Sequence, residues 1–170
     1  MNWDMVSAIG EILGSVAVLV TLIYLAIQMR QNASAIQAST RQAILQEDQN
    51  MLLYVMNDPD LPMLRFKTEL TDKEKIRLGC YMIMFLRMRE NNWRQHKNGV
   101  LDNATWASYR SSIRTFASPR VISWINHPRI GESFDPEFIE LVREILSSAP
   151  PLSRPIWLEA WDEIEPGSEG

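Results

Sequence analysis

Apolar residues are concentrated at the start of the chain. Residues 5–29 read MVSAIGEILGSVAVLVTLIYLAIQM, and Glu11 is the only charged side chain among them. A membrane-spanning helix needs about 20 predominantly apolar residues, so this run predicts a transmembrane helix. The alternative is the buried core helix of a soluble domain. Such helices usually carry a polar stripe, whereas residues 12–27 contain no charge at all.

The same helix is expected to continue beyond the apolar run. Between Gly14 and Pro59 the chain has no glycine or proline, and it is rich in good helix formers. One helix is therefore predicted from about residue 3 to residue 56, which is roughly 80 Å at 1.5 Å per residue. Past the membrane, apolar residues at helical spacing predict a face that packs against the rest of the chain: Ile36, Ala43, Ile44, Met51 and Val55.

The following residues read as shorter helices. Thr71 and Glu74 have the spacing of a capping box, and the helix that they begin is predicted to end at Asn98-Gly99. Its middle, residues 78–86, is apolar all round but too short to cross a bilayer, which predicts a buried central helix. Further helices are predicted at 61–67, 102–117, 119–126 and 135–148, and residues 127–131 are predicted as a loop.

No segment alternates like a strand, so the predicted class is all-α. An N-terminal transmembrane helix would continue into a long amphipathic helix and be followed by a small helical cytoplasmic domain. The predicted segments are a short stub and transmembrane helix (1–28), a juxtamembrane helix extension (29–56), a helical domain (57–148) and a Pro-rich acidic tail (149–170). A short docking helix is predicted in the tail from four apolar residues: Ile156, Trp157, Trp161 and Ile164.

The distribution of charge predicts the orientation of the span. All 17 Lys and Arg lie at Arg30 or later, which predicts an N-terminus outside and a cytoplasmic C-terminal domain. Residues 1–4 lack the basic region of a cleaved signal peptide, so the segment is expected to remain in the mature protein. The net charge of -4 argues against a nucleic-acid partner. The single Cys80 fits a reducing compartment and, with only two histidines, excludes disulfide scaffolds and four-ligand zinc sites.

The sequence carries no catalytic signature, phosphate-binding loop or dinucleotide fingerprint, so we expect no enzyme, cofactor or metal site. The acids Glu137, Glu140 and Glu144 share a helix face but are interpreted as solvated. A basic patch in the presumed cytoplasmic domain is a candidate for lipid-headgroup contacts: Arg87, Arg89, Arg94 and Lys97. The alternative for these four side chains is ion pairing with Glu90 or with the acidic tail.

Small and polar residues recur along the first helix at intervals of three, four and seven. The stripe, called here the polar seam, consists of Ser7, Gly10, Glu11, Gly14, Thr21, Gln28 and Asn32. Ionisable side chains in membranes normally face protein or water, and small residues four apart allow helices to approach closely. The polar seam therefore predicts a homo-oligomer or a contact with another membrane protein. The alternative is that Glu11 reaches the nearby interface through local bilayer thinning.

The segment AIGEILG at residues 8–14, followed by YLAIQMRQN at residues 24–32, resembles the N-terminus of a group of small bacterial single-span membrane proteins of unassigned function. The resemblance covers about the first 32 residues. It implies a bacterial inner membrane and one span joined to a helical domain, and it implies no activity.

Two function classes follow. The first is a single-span protein that contacts membrane lipid, self-associates through its transmembrane helix and presents a helical cytoplasmic interaction domain to a partner. The second is a homo-oligomeric cation channel, in which the polar seam lines a pore and Glu11 forms a ring of carboxylates.

Overall fold

The computed structural model describes residues 3–148 and 150–165. Within these ranges the chain contains helices and no strand, so the predicted all-α class is confirmed. In chain order the elements are α1 (Trp3–Asn57), a 3₁₀ helix (Leu61–Phe66), α2 (Asp72–Lys97), α3 (Asn103–Arg114), α4 (Pro119–Ile125), α5 (Pro128–Gly131), α6 (Pro136–Ser147) and α7 (Ile156–Ile164).

Local capping residues set the ends of α2 as predicted. The Glu74 amide donates to the Thr71 hydroxyl at 3.3 Å, and the Thr71 amide donates to the Glu74 carboxylate at 2.8 Å. At the other end Gly99 takes φ +73°, a conformation that glycine adopts without the steric cost of a Cβ. These two signals lie within a few residues of the ends that they determine, which is why the sequence predicted both.

One predicted loop contains a helical turn. Residues 128–131 form α5, and the Ile130 amide donates to the His127 carbonyl at 3.0 Å. Pro128 occupies the first position of this turn, where its fixed φ suits a helix and its missing N–H is not needed. The proline that was interpreted as a loop residue thus begins a helix.

The chain divides into two compact units, Met1–Ala43 and Ile44–Gly170. In the first unit, residues 3–39 are all exposed, although most of them are large and apolar up to Met29. Among the described helices, α1 is the one long and apolar enough to span a membrane by length and composition.

The second unit has its own hydrophobic core. The central helix α2 is buried along one side through Leu78, Tyr81, Met82, Phe85 and Leu86. The core is completed by residues of α1, α3, α4 and α6, including Met51, Ile113, Val121, Phe138 and Val142.

The predicted packing face of α1 is buried over only part of its length. Ile44 and Met51 are buried and Val55 packs against the core, whereas Ile36 and Ala43 are exposed. The spacing of apolar residues is the same on both sides of residue 44, so it does not reveal where packing partners begin.

The tail forms the predicted helix, α7, but none of the residues of this helix is buried. Its apolar residues Ile156, Trp157, Trp161 and Ile164 are 44–69% exposed. The segment before the helix is the part of the tail that packs most closely against the domain. The Leu152 amide donates to the Ala117 carbonyl at 2.5 Å, and Pro155 is buried.

Candidate functional site

Helical geometry brings the predicted polar seam together on one face of α1. At about 100° per residue, its seven residues fall within a stripe about 100° wide. Two of its side chains are satisfied inside the helix. The Thr21 hydroxyl donates to the Ala17 carbonyl at 2.8 Å, and the Gln28 amide donates to the Tyr24 hydroxyl at 2.7 Å.

Gly10, Gly14 and Glu11 of the polar seam have no contacts of this kind with the described residues. A Cβ added at Gly10 or at Gly14 would meet nothing within 4 Å. The Glu11 carboxylate makes no hydrogen bond or ion pair with any part of the chain that the structure describes. The polar seam therefore offers a surface that another helix could approach closely, and it contains one acid without a partner in the described residues.

Three of the four residues of the predicted basic patch lie at the surface and pair with acidic side chains. Arg87 and Arg94 donate to the buried Glu90 at 2.8 and 3.0 Å, and Lys97 donates to Glu137 at 2.5 Å. The ion pairs with Glu90 that the sequence offered as an alternative are thus present. Arg89 is only 6% exposed and pairs with Asp48 instead, so it is not part of the same surface.

Glu90 connects α2 to the beginning of α6. Besides the two arginines, its carboxylate accepts a hydrogen bond from the Asp135 amide at 2.9 Å. Asp135 in turn caps α6 by accepting from the amides of Glu137 and Phe138. Three donors on a buried carboxylate offset the cost of removing its charge from water.

A stack of two arginines and four aromatic rings crosses the core of the second unit. Arg65 lies between two rings, with its Cζ 4.8 Å from the centroid of Phe66 and 4.9 Å from that of Phe116. Phe116 stacks on Phe85 with ring centroids 3.8 Å apart. Arg89 then lies between Phe85 and Tyr109, at 5.1 and 4.8 Å. We call these six residues the cation–π stack.

The two arginines of the cation–π stack differ in how their charge is balanced. Arg89 donates to Asp48 at 2.8 Å, but its Nε and Nη1 have no hydrogen-bond partner. Arg65 is 2% exposed, and none of its three side-chain nitrogens has a hydrogen-bond partner. Burial lowers the pKa of Arg65 to about 10. The chain therefore holds one buried cation without a counterion in its described part.

Two tyrosines next to these arginines respond to the same environment. Burial raises the pKa of Tyr81, although the charge of Arg65 partly opposes this. Burial also raises the pKa of Tyr109, and the charge of Asp48 and a hydrogen bond to it add to the effect. Both phenols are thus held in their neutral form beside a guanidinium.

A cavity of about 520 Å³ lies beside the cation–π stack. Its walls are mainly apolar and come from α1, α2, α3 and α7, with Leu52, Val55, Phe85, Phe116 and Trp157 among the lining residues. Polar groups also reach it, namely Asp48, Arg89, Ser112 and Thr115. Small-molecule sites are typically apolar clefts of about 300–1,000 Å³ with a few polar groups, so the cavity has the size and lining of a ligand site.

Sequence reasoning missed this site. One signal was available, since Tyr81, Phe85 and Arg89 follow each other at intervals of four and must share a face of α2. An arginine on the same helix face as aromatic residues of the core predicts a buried charge. Arg65 gave no such signal, because its helix is a single short 3₁₀ element.

The described residues contain no group of three or more His, Cys, Asp or Glu side chains that could hold a metal ion. Comparisons with models of protein families, with curated proteins and with solved structures find no match to this chain. The resemblance of the N-terminal segment to small bacterial membrane proteins therefore stays an expectation.

Proposed function

We propose that this protein is a single-span protein of a bacterial inner membrane that self-associates through the polar seam and presents its helical domain to a cytoplasmic partner. One observation carries the proposal. Residues 3–39 of α1 are all exposed, they are mostly apolar up to Met29, and small and polar residues share one face of the helix. Exposure of such a surface to water raises the free energy of the protein. Lipid can cover its apolar face, and another helix can cover the polar seam.

The polar seam supports self-association for a geometric reason. Gly10 and Gly14 are four residues apart and open, so a second helix can approach the backbone closely there. Because the described residues contain one candidate span, the neighbouring helix would come from another copy or from a different membrane protein. A homo-oligomer is the simplest closed arrangement.

The proposed orientation rests on charge. No Lys or Arg precedes Arg30 in the sequence, and Arg30 and Arg41 follow the apolar run closely. Basic residues favour the cytoplasmic side of a span, which supports an outer N-terminus and a cytoplasmic helical domain. Catalysis has no part in the proposal.

The double substitution Gly10→Leu and Gly14→Leu tests self-association. Within one chain the new side chains meet open space, so the helix itself tolerates them. Between helices they would hold the backbones apart. We expect the dissociation constant of the oligomer in micelles to rise about tenfold, a loss of about 1.4 kcal/mol, because the close approach of the two backbones is prevented.

The matched control is Ala8→Leu with Ala26→Leu, which adds similar volume about 110° away from the centre of the polar seam. Cross-linking and sedimentation of both variants give the oligomer size. If the two double variants weaken association equally, or if the wild-type chain is monomeric, the proposal fails.

A second candidate function is a cation channel, and the unpaired Glu11 favours it. A ring of Glu11 carboxylates from several copies would attract cations at one end of a pore. We expect Glu11→Gln to lower cation conductance and selectivity in planar bilayers, whereas Asp4→Asn, outside the apolar run, leaves both nearly unchanged. If the wild-type protein gives no unitary current, the channel is excluded and the interaction protein remains.

A further inference from the structure

Helix α7 has an apolar face that its own chain leaves exposed. The residues of this face share one side of the helix, and two of them are tryptophans: Ile156, Trp157, Ala160, Trp161 and Ile164. Glu159 and Glu163 lie along one edge of the face, and neither forms an ion pair with the described part of the chain. Contact of such a face with water raises the free energy of the protein, so a partner that covers it is favoured.

A groove of about 550 Å³ lies on the surface of the second unit, between α1 and α2. Three methionines line it, Met51, Met84 and Met88, and Tyr54 extends its α1 wall. We call it the methionine groove. Methionine side chains are flexible and their sulfur atoms pack favourably against aromatic rings. This lining therefore suits an amphipathic helix that carries tryptophans on its apolar face.

The methionine groove and α7 match in length and in hydrogen-bonding groups. The groove is lined over residues 47–54 of α1 and 84–91 of α2, about 10 Å of each helix, and α7 is about 12 Å long from residue 156 to residue 164. A buried indole N–H needs an acceptor. The side-chain oxygens of Glu47, Asn50 and Asn91 are acceptors that line the groove.

Charge determines which edge of α7 fits which wall of the methionine groove. Arg87 lies on the α2 wall with about half of its side chain exposed, and Glu47 lies on the α1 wall. Arg87 already pairs with Glu90, but a guanidinium has five N–H groups and can bind a further carboxylate. The edge of α7 that carries Glu159 and Glu163 therefore fits the α2 wall, and the uncharged edge fits the α1 wall.

The α7 helix of the same chain does not fill the groove. The Leu152 amide donates to the Ala117 carbonyl and Pro155 is buried, and these contacts hold α7 where Trp157 lines the cavity beside the cation–π stack. That cavity is lined by α1 positions 48, 52 and 55, whereas the methionine groove is lined by positions 47, 50 and 54. At about 100° per residue these two sets lie on different sides of α1.

Lipid is the other candidate cover for the apolar face of α7, and charge disfavours it. Residues 156–164 contain three acids and no Lys or Arg. The cytoplasmic leaflet is itself anionic and attracts basic segments, so it repels an acidic helix. A protein groove with an arginine on one wall fits this helix better.

We propose that α7 of one copy docks in the methionine groove of a second copy, with its tryptophans against the methionines and its acids along the α2 wall. The inference deepens the proposed function and rests on it, because self-association through the polar seam would hold a second groove within reach. Each copy has one α7 and one methionine groove, so a two-fold pair of copies can form the contact twice.

Cross-linking between two differently substituted chains tests the contact. Both full-length chains carry Cys80→Ala and are mixed in nonionic micelles. One carries Ala160→Cys at the centre of the apolar face, and the other carries Asn50→Cys in the groove. We expect a short bis-maleimide to join them about tenfold faster than it joins the Ala160→Cys chain to a Ser111→Cys chain, whose cysteine is exposed on α3.

Side-chain truncation identifies the residues that carry the contact. Trp161→Ala in the Ala160→Cys chain should slow the cross-link to Asn50→Cys about tenfold, because interface tryptophans contribute much of the binding free energy. Tyr54→Ala in the groove should slow it as well. Leu45→Ala removes a side chain as exposed as Trp161, on α1 but outside the groove, and should leave the rate unchanged. Helix content and melting temperature of each variant confirm that it is folded.

Sedimentation separates a failure of this contact from a failure of self-association. If the wild-type chain is oligomeric but Ala160→Cys reacts no faster with Asn50→Cys than with Ser111→Cys, the docking of α7 is wrong and self-association stands. A monomeric wild-type chain contradicts the proposed function. Docking still requires cross-linking that saturates as the chain concentration rises, and without saturation it is wrong too.

Two further results would assign α7 a different cover. Cross-linking confined to single chains that carry both cysteines would place α7 in the groove of its own chain. Quenching of Trp161 fluorescence by brominated phosphatidylcholine in vesicles, measured as the part that Trp161→Phe removes, would place α7 in lipid. Either result contradicts docking on a second copy.

Discussion

Arg65 carries a positive charge that has no counterion among the described residues. Two aromatic faces compensate part of its lost hydration, and its pKa falls to about 10 because burial disfavours the charged form. The lowered pKa means that the charge is a cost to the folded state at every pH below about 10. That cost is relieved only as the pH rises from about 10 toward the ordinary value of 12.5.

Replacing Arg65 with methionine should therefore stabilise the chain. Methionine fills similar space among the same rings and removes the uncompensated charge, so we expect a gain of about 1–2 kcal/mol and a higher melting temperature at pH 7. Arg114→Met, on an exposed position of α3, should change little. A clear drop in the melting temperature of Arg65→Met would mean that the ring contacts outweigh the desolvation of the charge.

Glu74 makes the stability of the folded chain depend on pH in the acidic range. Its pKa falls to about 2 because Lys67 donates to the carboxylate, and the amide and hydroxyl of Thr71 donate as well. A carboxylate with a depressed folded pKa adds stability above its ordinary value of 4.5 and loses it as the pH falls toward 2. Glu74→Gln should lower the melting temperature at pH 7 and lessen its dependence on pH between 4.5 and 2. Glu69→Gln, outside the capping box, is the control, and equal acid sensitivity in both variants would contradict the assignment.

At the scale of elements, two glycines associated with α2 should respond in opposite ways to alanine. Gly99 has φ +73°, and an L side chain there is strained even though a Cβ would meet nothing within 4 Å. Gly79 lies inside the helix, also with open space around a Cβ. We expect Gly99→Ala to destabilise the chain by about 1 kcal/mol and Gly79→Ala to stabilise it by about 0.5–1 kcal/mol. Thermal unfolding followed by circular dichroism checks both, and the same sign for both would contradict this account of the end of α2.

The whole molecule has one thiol with which to test its proposed orientation. Cys80 is exposed on α2, so only the membrane should protect it from a membrane-impermeant maleimide. We expect labelling in permeabilised cells and little in intact cells. In a Cys80→Ala chain, Asp4→Cys should react in intact cells instead. Equally fast labelling of Cys80 in both preparations would refute a cytoplasmic domain.

The sequence alone determined the helices other than α5, and it determined the long apolar segment. Caps such as Thr71 with Glu74, breakers such as Gly99, and the uncharged run at residues 12–27 act over a few residues and need no tertiary partner. The predicted end of α1 at residue 56 consequently lies within one residue of the observed end at Asn57. The polar seam follows equally from helical geometry once the helix is known.

Only the tertiary structure decided which charges are buried and what they contact. Arg87 and Arg89 are two residues apart, yet one pairs with Glu90 near the surface and the other joins the cation–π stack beside Asp48. Helical spacing indicates that they point apart, but two partners of Arg89, Asp48 and Tyr109, come from α1 and α3, more than 15 residues away in the chain. The cavity depends on the same long-range packing, because its walls are contributed by four helices. The spacing of residues along the sequence predicts which side chains share a face of a helix. Which helix faces pack against each other is decided by the packing of the folded core.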